Sequence, residues 1–114
     1  MAATPVVNIT IQQGQDFSEV FTSTENDGSA SNLSGYLGFS YIKKHPDSTK
    51  YQDFQVSITG STGEVSVAMT SGKTSKLDPG RYYYDIVLKS PSGSLSRFVE
   101  GMALVNAGIT TGIL

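Results

Sequence analysis

Val7, Ile9 and Ile11 alternate with Asn8, Thr10 and Gln12, the period-two pattern of a strand with one face in a core. Gln13-Gly14-Gln15 turns that strand, and Phe17, Glu19 and Phe21 then alternate with Ser18, Val20 and Thr22 in a second. An acidic, turn-rich stretch from Glu25 to Asn32 follows, with the tight-turn pair Asp27-Gly28 inside it. Leu37, Phe39 and Tyr41 alternate in a third strand, from about Gly35 to Lys43. His45-Pro46-Asp47-Ser48-Thr49 breaks the pattern. Phe54, Val56 and Ile58 make a fourth strand, Gly60-Ser61-Thr62-Gly63 a turn, and Val65, Val67 and Met69 a fifth. Ser71 to Leu77 predicts one helical turn crossing between sheets. Tyr82, Tyr84, Ile86 and Leu88 alternate in a sixth strand, and Pro91-Ser92-Gly93 turns it into a seventh, Leu95 to about Val105. Gly101 is expected to mark a bulge or bend in that last strand.

About seven short strands separated by turn signals read as an all-β chain that folds as a two-sheet antiparallel sandwich. The 114 residues carry no internal repeat and read as one domain, 1–114, long enough for a single core. The formal charge of −2 gives no broad basic field, so no nucleic-acid partner is expected. There is no cysteine, which excludes a disulfide framework and thiolate metal sites and suits synthesis in a reducing cytoplasm. No apolar run approaches the roughly 18 residues of a membrane span. The start, Met-Ala-Ala-Thr-Pro-Val-Val-Asn, lacks the basic and apolar regions of a signal peptide. The sequons Asn8-Ile9-Thr10 and Asn32-Leu33-Ser34 therefore read as chance matches.

Candidate chemistry is sparse. His45 is the only histidine, and one imidazole without cysteine builds neither a zinc site nor a serine-activating base. No Gly-x-Ser-x-Gly turn presents a serine. Gly60-Ser61-Thr62-Gly63 and Gly72-Lys73-Thr74 lack the spacing of a phosphate loop and read as turns. The scattered aspartates form no EF-hand loop. No enzyme activity, cofactor or metal is therefore expected. Lys43, Lys44 and Lys50 cluster around one loop, either as solvated charges or as a rim contact for an acidic partner protein. In Tyr82-Tyr83-Tyr84 the alternation sends two rings inward and leaves Tyr83 alone for a ligand, a thin basis for weak binding of surface carbohydrate. Residues 1–15 and 101–114 carry no charged side chain. Ile109, Ile113 and Leu114 lie past the last strand, so 107–114 is expected to be a tail that docks on a neighbouring subunit. The free subunit is expected to be monomeric or weakly associating.

Asp78-x-Gly80-x-Tyr82-x-Tyr84 resembles the tyrosine corner of immunoglobulin-like domains, where a hydroxyl at the start of the penultimate strand returns to an upstream backbone group. Leu77, Pro79, Gly80, Tyr82 and Tyr84 would form it, with Tyr84 where antibody domains place their second cysteine. A second register, Leu77-x-Pro79-Gly80 leading to Tyr83, resembles the fibronectin type III version. The third strand would carry the core Trp of an antibody domain, and this chain has no Trp. The resemblance implies an immunoglobulin-like β-sandwich.

A wider resemblance rests on four blocks in order: Asn8 to Phe17, Asn32-Leu33-Ser34-Gly35-Tyr36, Leu77 to Ile86, and Arg97-Phe98-Val99-Glu100-Gly101. Together they are similar to immunoglobulin-like virion proteins of bacteriophages, including those of cyanophages, and to the N-terminal domains of siphophage upper baseplate proteins. That resemblance implies a non-enzymatic virion subunit, made in the host cytoplasm, whose partners are other virion proteins. The baseplate proteins continue into long C-terminal regions, which this sequence lacks. The expectation is therefore a capsid decoration protein bound to the major capsid protein, with tail, baseplate or fibre attachment as the alternative.

Overall fold

The computed structural model describes residues 5–23, 31–49 and 51–109. The turn expected at Asp27-Gly28, the basic residue Lys50 and the tail residues Ile113 and Leu114 lie outside them. The strands are β1 (Ile9–Gln12), β2 (Phe17–Thr22), β3 (Leu37–Lys43), β4 (Gln52–Asp53), β5 (Gln55–Thr59), β6 (Glu64–Met69), β7 (Gly80–Lys89) and β8 (Leu95–Asn106). One short helix, α1 (Ser71–Thr74), joins β6 to β7. It is the helical turn read from Ser71 onward, prolonged by hydrogen bonds from Lys76 N to Lys73 O and from Leu77 N to Thr74 O.

Two sheets form, in the orders β1-β8-β7-β3-β4 and β2-β6-β5. The three-stranded sheet matches the B-E-D order of an immunoglobulin domain, and β3-β7-β8 matches C-F-G. The chain is an all-β, immunoglobulin-like two-sheet sandwich. It has eight strands among the described residues, the addition being the two-residue β4 against Tyr41 and Ile42. The pairing is antiparallel except at one edge, where β1 runs parallel to β8 with Ile9 opposite Ala103. The same register reaches back to Val6, bridged to Glu100.

Alternation places one side chain in two in the core: Val65, Val67 and Met69 on β6, and Tyr82, Tyr84, Ile86 and Leu88 on β7. On β3 the buried alternation is Ser40 and Ile42, with Gly38 between the sheets. Leu37, Phe39 and Tyr41 face outward. A Cβ on Gly38 would overlap Val56, so the inner face of β3 is small where it meets β5. Ser40 satisfies its hydroxyl on the Asp85 carbonyl at 2.6 Å. Phe54, held by its N–H to the Ser40 carbonyl at 2.9 Å, fills space beside Phe17 and Tyr84.

Gly101 is not the bulge expected of it. It pairs regularly with Tyr84, and the register slips instead at Phe98, since Ile86 faces Val99 while Val87 faces Arg97. Gly101 is required for a different reason: a Cβ there would overlap the Val7 carbonyl, so only glycine lets the first strand lie this close.

Candidate interaction face

Three of the sequence-derived sites have definite places. The tyrosine corner forms in the Tyr82 register: Tyr82 Oη donates to the Asp78 carbonyl at 2.9 Å, and Leu77 beneath it is buried. Gly80 takes the positive φ of 138° that turns the chain into β7, and Pro79 is exposed. Burial, then the nearby Asp78, raises the Tyr82 hydroxyl above its ordinary pKa. Tyr84 is buried, and its hydroxyl donates to the Val7 carbonyl at 2.5 Å, stapling the first strand to the sheet. Burial, with Glu19 second, pushes the Tyr84 hydroxyl up to about 12. Tyr83 points outward, so the fibronectin-like register is not adopted.

Lys43 and Lys44 lie over aromatic rings, with Lys43 Nζ 5.9 Å from the Tyr51 centroid and Lys44 Nζ 4.8 Å from that of Tyr82. These are cation–π contacts, and the second ties the loop after β3 to the corner. At the C-terminal end, Gly108 N donates to Gln13 Oε1 at 3.0 Å, and Ile109 is 98 % exposed. Ile109 thus takes no part in the domain's core.

The sequence reading missed a surface. Cross-strand partners share a face, and on the outside of the five-stranded sheet they assemble an apolar field. Leu37, Phe39, Tyr41 and Tyr83 are between 43 and 58 % exposed there. Phe39 lies opposite Val87, and Tyr83 opposite Met102. Leu104, opposite Arg81, extends the field toward β1. Tyr51 stacks on Tyr41 with ring centroids 4.2 Å apart, and this neighbour raises the Tyr41 hydroxyl above its ordinary pKa. Tyr83 is, as expected, the one ring of the Tyr82-Tyr83-Tyr84 run that faces outward. Phe39, Tyr41 and Tyr51 stand exposed beside it.

Ion pairs cross the middle of this field. Asp85 sits between Tyr41 and Glu100 in the register. Arg97 Nε donates to Asp85 Oδ2 at 3.1 Å, and Arg97 Nη1 lies 3.6 Å from Glu100 Oε2. An open hollow of about 730 Å³ spans the region, with Tyr41, Tyr83, Met102 and Val87 on its walls. Asp53, on the same face, is tied down by Lys73 Nζ at 2.8 Å, which holds its carboxyl below the ordinary range.

The outer face of the three-stranded sheet is different in kind. Ser18, Thr22, Ser57, Thr59 and Ser66 share it with Gln55, Glu64 and Ala68, and Val20 is its one large apolar side chain among the described residues. A largely polar face is suited to water, whereas a contiguous apolar face on a soluble domain marks a contact surface. Among the described residues no group of three His, Cys, Asp or Glu is placed to hold a metal ion, and His45 sits exposed in the loop after β3.

The alternation Leu37-Phe39-Tyr41 is the same whether it faces a core or a partner, so period alone could not reveal the face. The available signal was the complementary set Gly38-Ser40-Ile42, small enough at two of its three positions to fit between close-packed sheets, together with aromatic and apolar residues at the outward positions of β7 and β8. No family model matches the chain, and no curated protein matches it either.

Proposed function

We propose that this chain is a non-enzymatic structural subunit of a bacteriophage virion, decorating the capsid surface, with attachment to tail, baseplate or fibre as the alternative site. The observation that carries the reading is the asymmetry between the two outer faces. One is largely polar, with five small hydroxyl side chains among its positions. The other presents Leu37, Phe39, Tyr83, Met102 and Leu104, of which Tyr83 and Met102 line a hollow, a set of side chains that protein contact stabilises and water does not. The order of the four phage-like sequence blocks supplies the kind of assembly. The exposed Ile109 suits the expected docking of the C-terminal residues on a larger neighbour.

A saccharide-binding reading draws support from the exposed rings of Tyr41, Tyr51 and Tyr83. It is the weaker one. Met102 flanks Tyr83 with an apolar side chain, and the carboxylates of Asp85 and Glu100 on this face already engage Arg97.

Quantitative mass spectrometry of purified particles from the phage that encodes the chain tests the proposal. Hundreds of copies per particle would place it on the capsid, and a few tens or fewer on the tail. Absence from the particle would overturn the virion reading. Saturable binding of defined oligosaccharides, lost in Tyr83→Ala, would favour the carbohydrate reading instead.

A further inference from the structure

We propose that the free edge of β5 pairs with the same edge of a second copy, antiparallel and about a two-fold axis through Ser57, so that the two three-stranded sheets become one continuous sheet. This contact is independent of the virion reading.

The phase of the ladder decides which backbone groups are free. Ser23 N donates to the Gly63 carbonyl at 2.8 Å, one step beyond the β2–β6 register. Directly opposed residues in an antiparallel pair alternate between bonded and non-bonded. Val65, Val67 and Met69 therefore turn their backbone groups to β2, and Glu64, Ser66 and Ala68 turn theirs to β5. Their partners Thr59, Ser57 and Gln55 are engaged in that ladder. The Ser66 hydroxyl, which donates to the Ser57 carbonyl at 3.3 Å, agrees with this phase. The N–H and C=O groups of Val56 and Ile58 point out of the sheet, and among the described residues none bonds to them.

The free stretch is bounded at both ends. Past Thr59, the Leu33 N–H takes the Gly60 carbonyl at 2.9 Å. At the other end the chain leaves for the opposite sheet through Phe54, whose N–H binds the Ser40 carbonyl. Ser57 is the midpoint of what remains. Open edges are templates for another strand, and proteins blunt them with shortness or with inward charge. β4 has two residues and β1 four, and β2 carries Glu19 in its inward row, exposed between Phe17 and Phe21. β5 is longer than β1 and β4, and from Gln55 to Thr59 it holds no charged residue.

Read antiparallel about Ser57, the strand is its own complement. Val56 faces Ile58 of the second copy, and the axis repeats the pair, each exchanging both of its N–H···O bonds. These two side chains are half-buried against the core, and in the pair they cover one another. On the outer side Ser57 faces Ser57, and Gln55 faces Thr59. No like charges meet. The axis stands perpendicular to the sheets, so the apolar outer faces of both five-stranded sheets point the same way.

Opposite charges at Ser57 test the contact, because this exposed residue meets itself across the axis. Ser57→Lys and Ser57→Glu each set like charges face to face. Sedimentation equilibrium and native mass spectrometry of the full chain, one variant isotope-labelled, follow association up to millimolar concentration. The expected result is a wild-type dimer that dissociates on dilution, weakened more than about tenfold in each variant alone and restored as a mixed dimer when the two are combined. Thermal melts serve as the folding control. If either variant fails to fold, amide exchange in the wild type decides. Exchange at Val56 and Ile58 should slow as concentration rises, while Gln55, Ser57 and Thr59, bonded to β6, stay protected throughout.

A wild-type chain that stays monomeric at millimolar concentration overturns the proposal. So does a dimer indifferent to both charges, or one in which Val56 and Ile58 exchange equally fast at every concentration. A monomer whose Val56 and Ile58 become protected only on binding purified particles also overturns it, and gives the edge to a strand of another protein.

Discussion

Arg97 and Glu100 point to the same side of β8 although they stand three positions apart, an odd spacing that a regular strand would send to opposite faces. Phe98 makes this geometry by bulging out of the pairing, so that Val99 faces Ile86 while Arg97 faces Val87. The displaced Phe98 ring turns toward the core and meets Phe21 edge-on, with centroids 6.5 Å apart. One inserted residue therefore both seals the sandwich and assembles the charged centre of its outer face.

The tyrosine corner gives the cleanest test of register. Tyr82→Phe deletes the hydrogen bond to the Asp78 carbonyl and should destabilise the fold by about 1–2 kcal/mol, leaving that acceptor short of a partner. Tyr83→Phe, on the outer face, should be nearly silent. Urea unfolding of both variants at neutral pH measures the difference, and a costly Tyr83→Phe would reverse the assignment.

Alkaline titration reads Tyr84. A tyrosine whose pKa is higher folded than unfolded contributes stability that is fully present below the unfolded value of about 10. That stability is lost as pH rises toward the folded value of about 12. Stability should thus fall between pH 10 and 12, and the fall should be shallower in Tyr84→Phe. Tyr82, raised in the same direction, adds to the slope and remains in that variant. An unchanged slope in Tyr84→Phe would mean that its hydroxyl reaches solvent.

Gly101→Ala should be among the most damaging single-atom changes in the chain. The new methyl would overlap the Val7 carbonyl, which also accepts the Tyr84 hydroxyl. We expect a loss of about 1–3 kcal/mol, with hydrogen exchange accelerated along β1 before the rest of the sheet. Uniform destabilisation with β1 still protected would show that the first strand shifts without detaching.

Removing Gly108 to Leu114 should leave the sandwich folded. The described part of that segment makes one hydrogen bond, from Gly108 N to Gln13 Oε1, whose loss costs about 1 kcal/mol. Binding to particles stripped of the subunit should fall sharply in competition with full-length protein. Equal binding would remove the docking role of the tail, and a collapsed melt would make it part of the core.

The fold was legible in the sequence because its signals are local. Alternation at Val65-Val67-Met69 and Tyr82-Tyr84-Ile86-Leu88, and glycine at the turns, specify strands and their inward faces directly. The tyrosine corner was legible for the same reason, since its acceptor lies four residues from its donor. The interaction face was not. It depends on which face of β3 the sheet buries, on a bulge without a glycine to mark it, and on β3 being brought beside the distant β7–β8 hairpin. The parallel edge was equally hidden, because nothing in Ile9-Thr10-Ile11 says which sheet it joins.

That edge sets a condition on biosynthesis. β1 takes its backbone partners from β8, and the Val7 carbonyl waits for a hydroxyl 77 residues further along. A ribosome must therefore have released nearly the whole domain before its first strand can be placed, and pairing at such separation is slow. Until then Ile9 and Ile11, both buried in the finished sandwich, are exposed to every other nascent chain nearby. A chain synthesised in many copies at once would be most vulnerable to misassembly in that interval, and Gly101 keeps the place beside β8 open for the strand that arrives last.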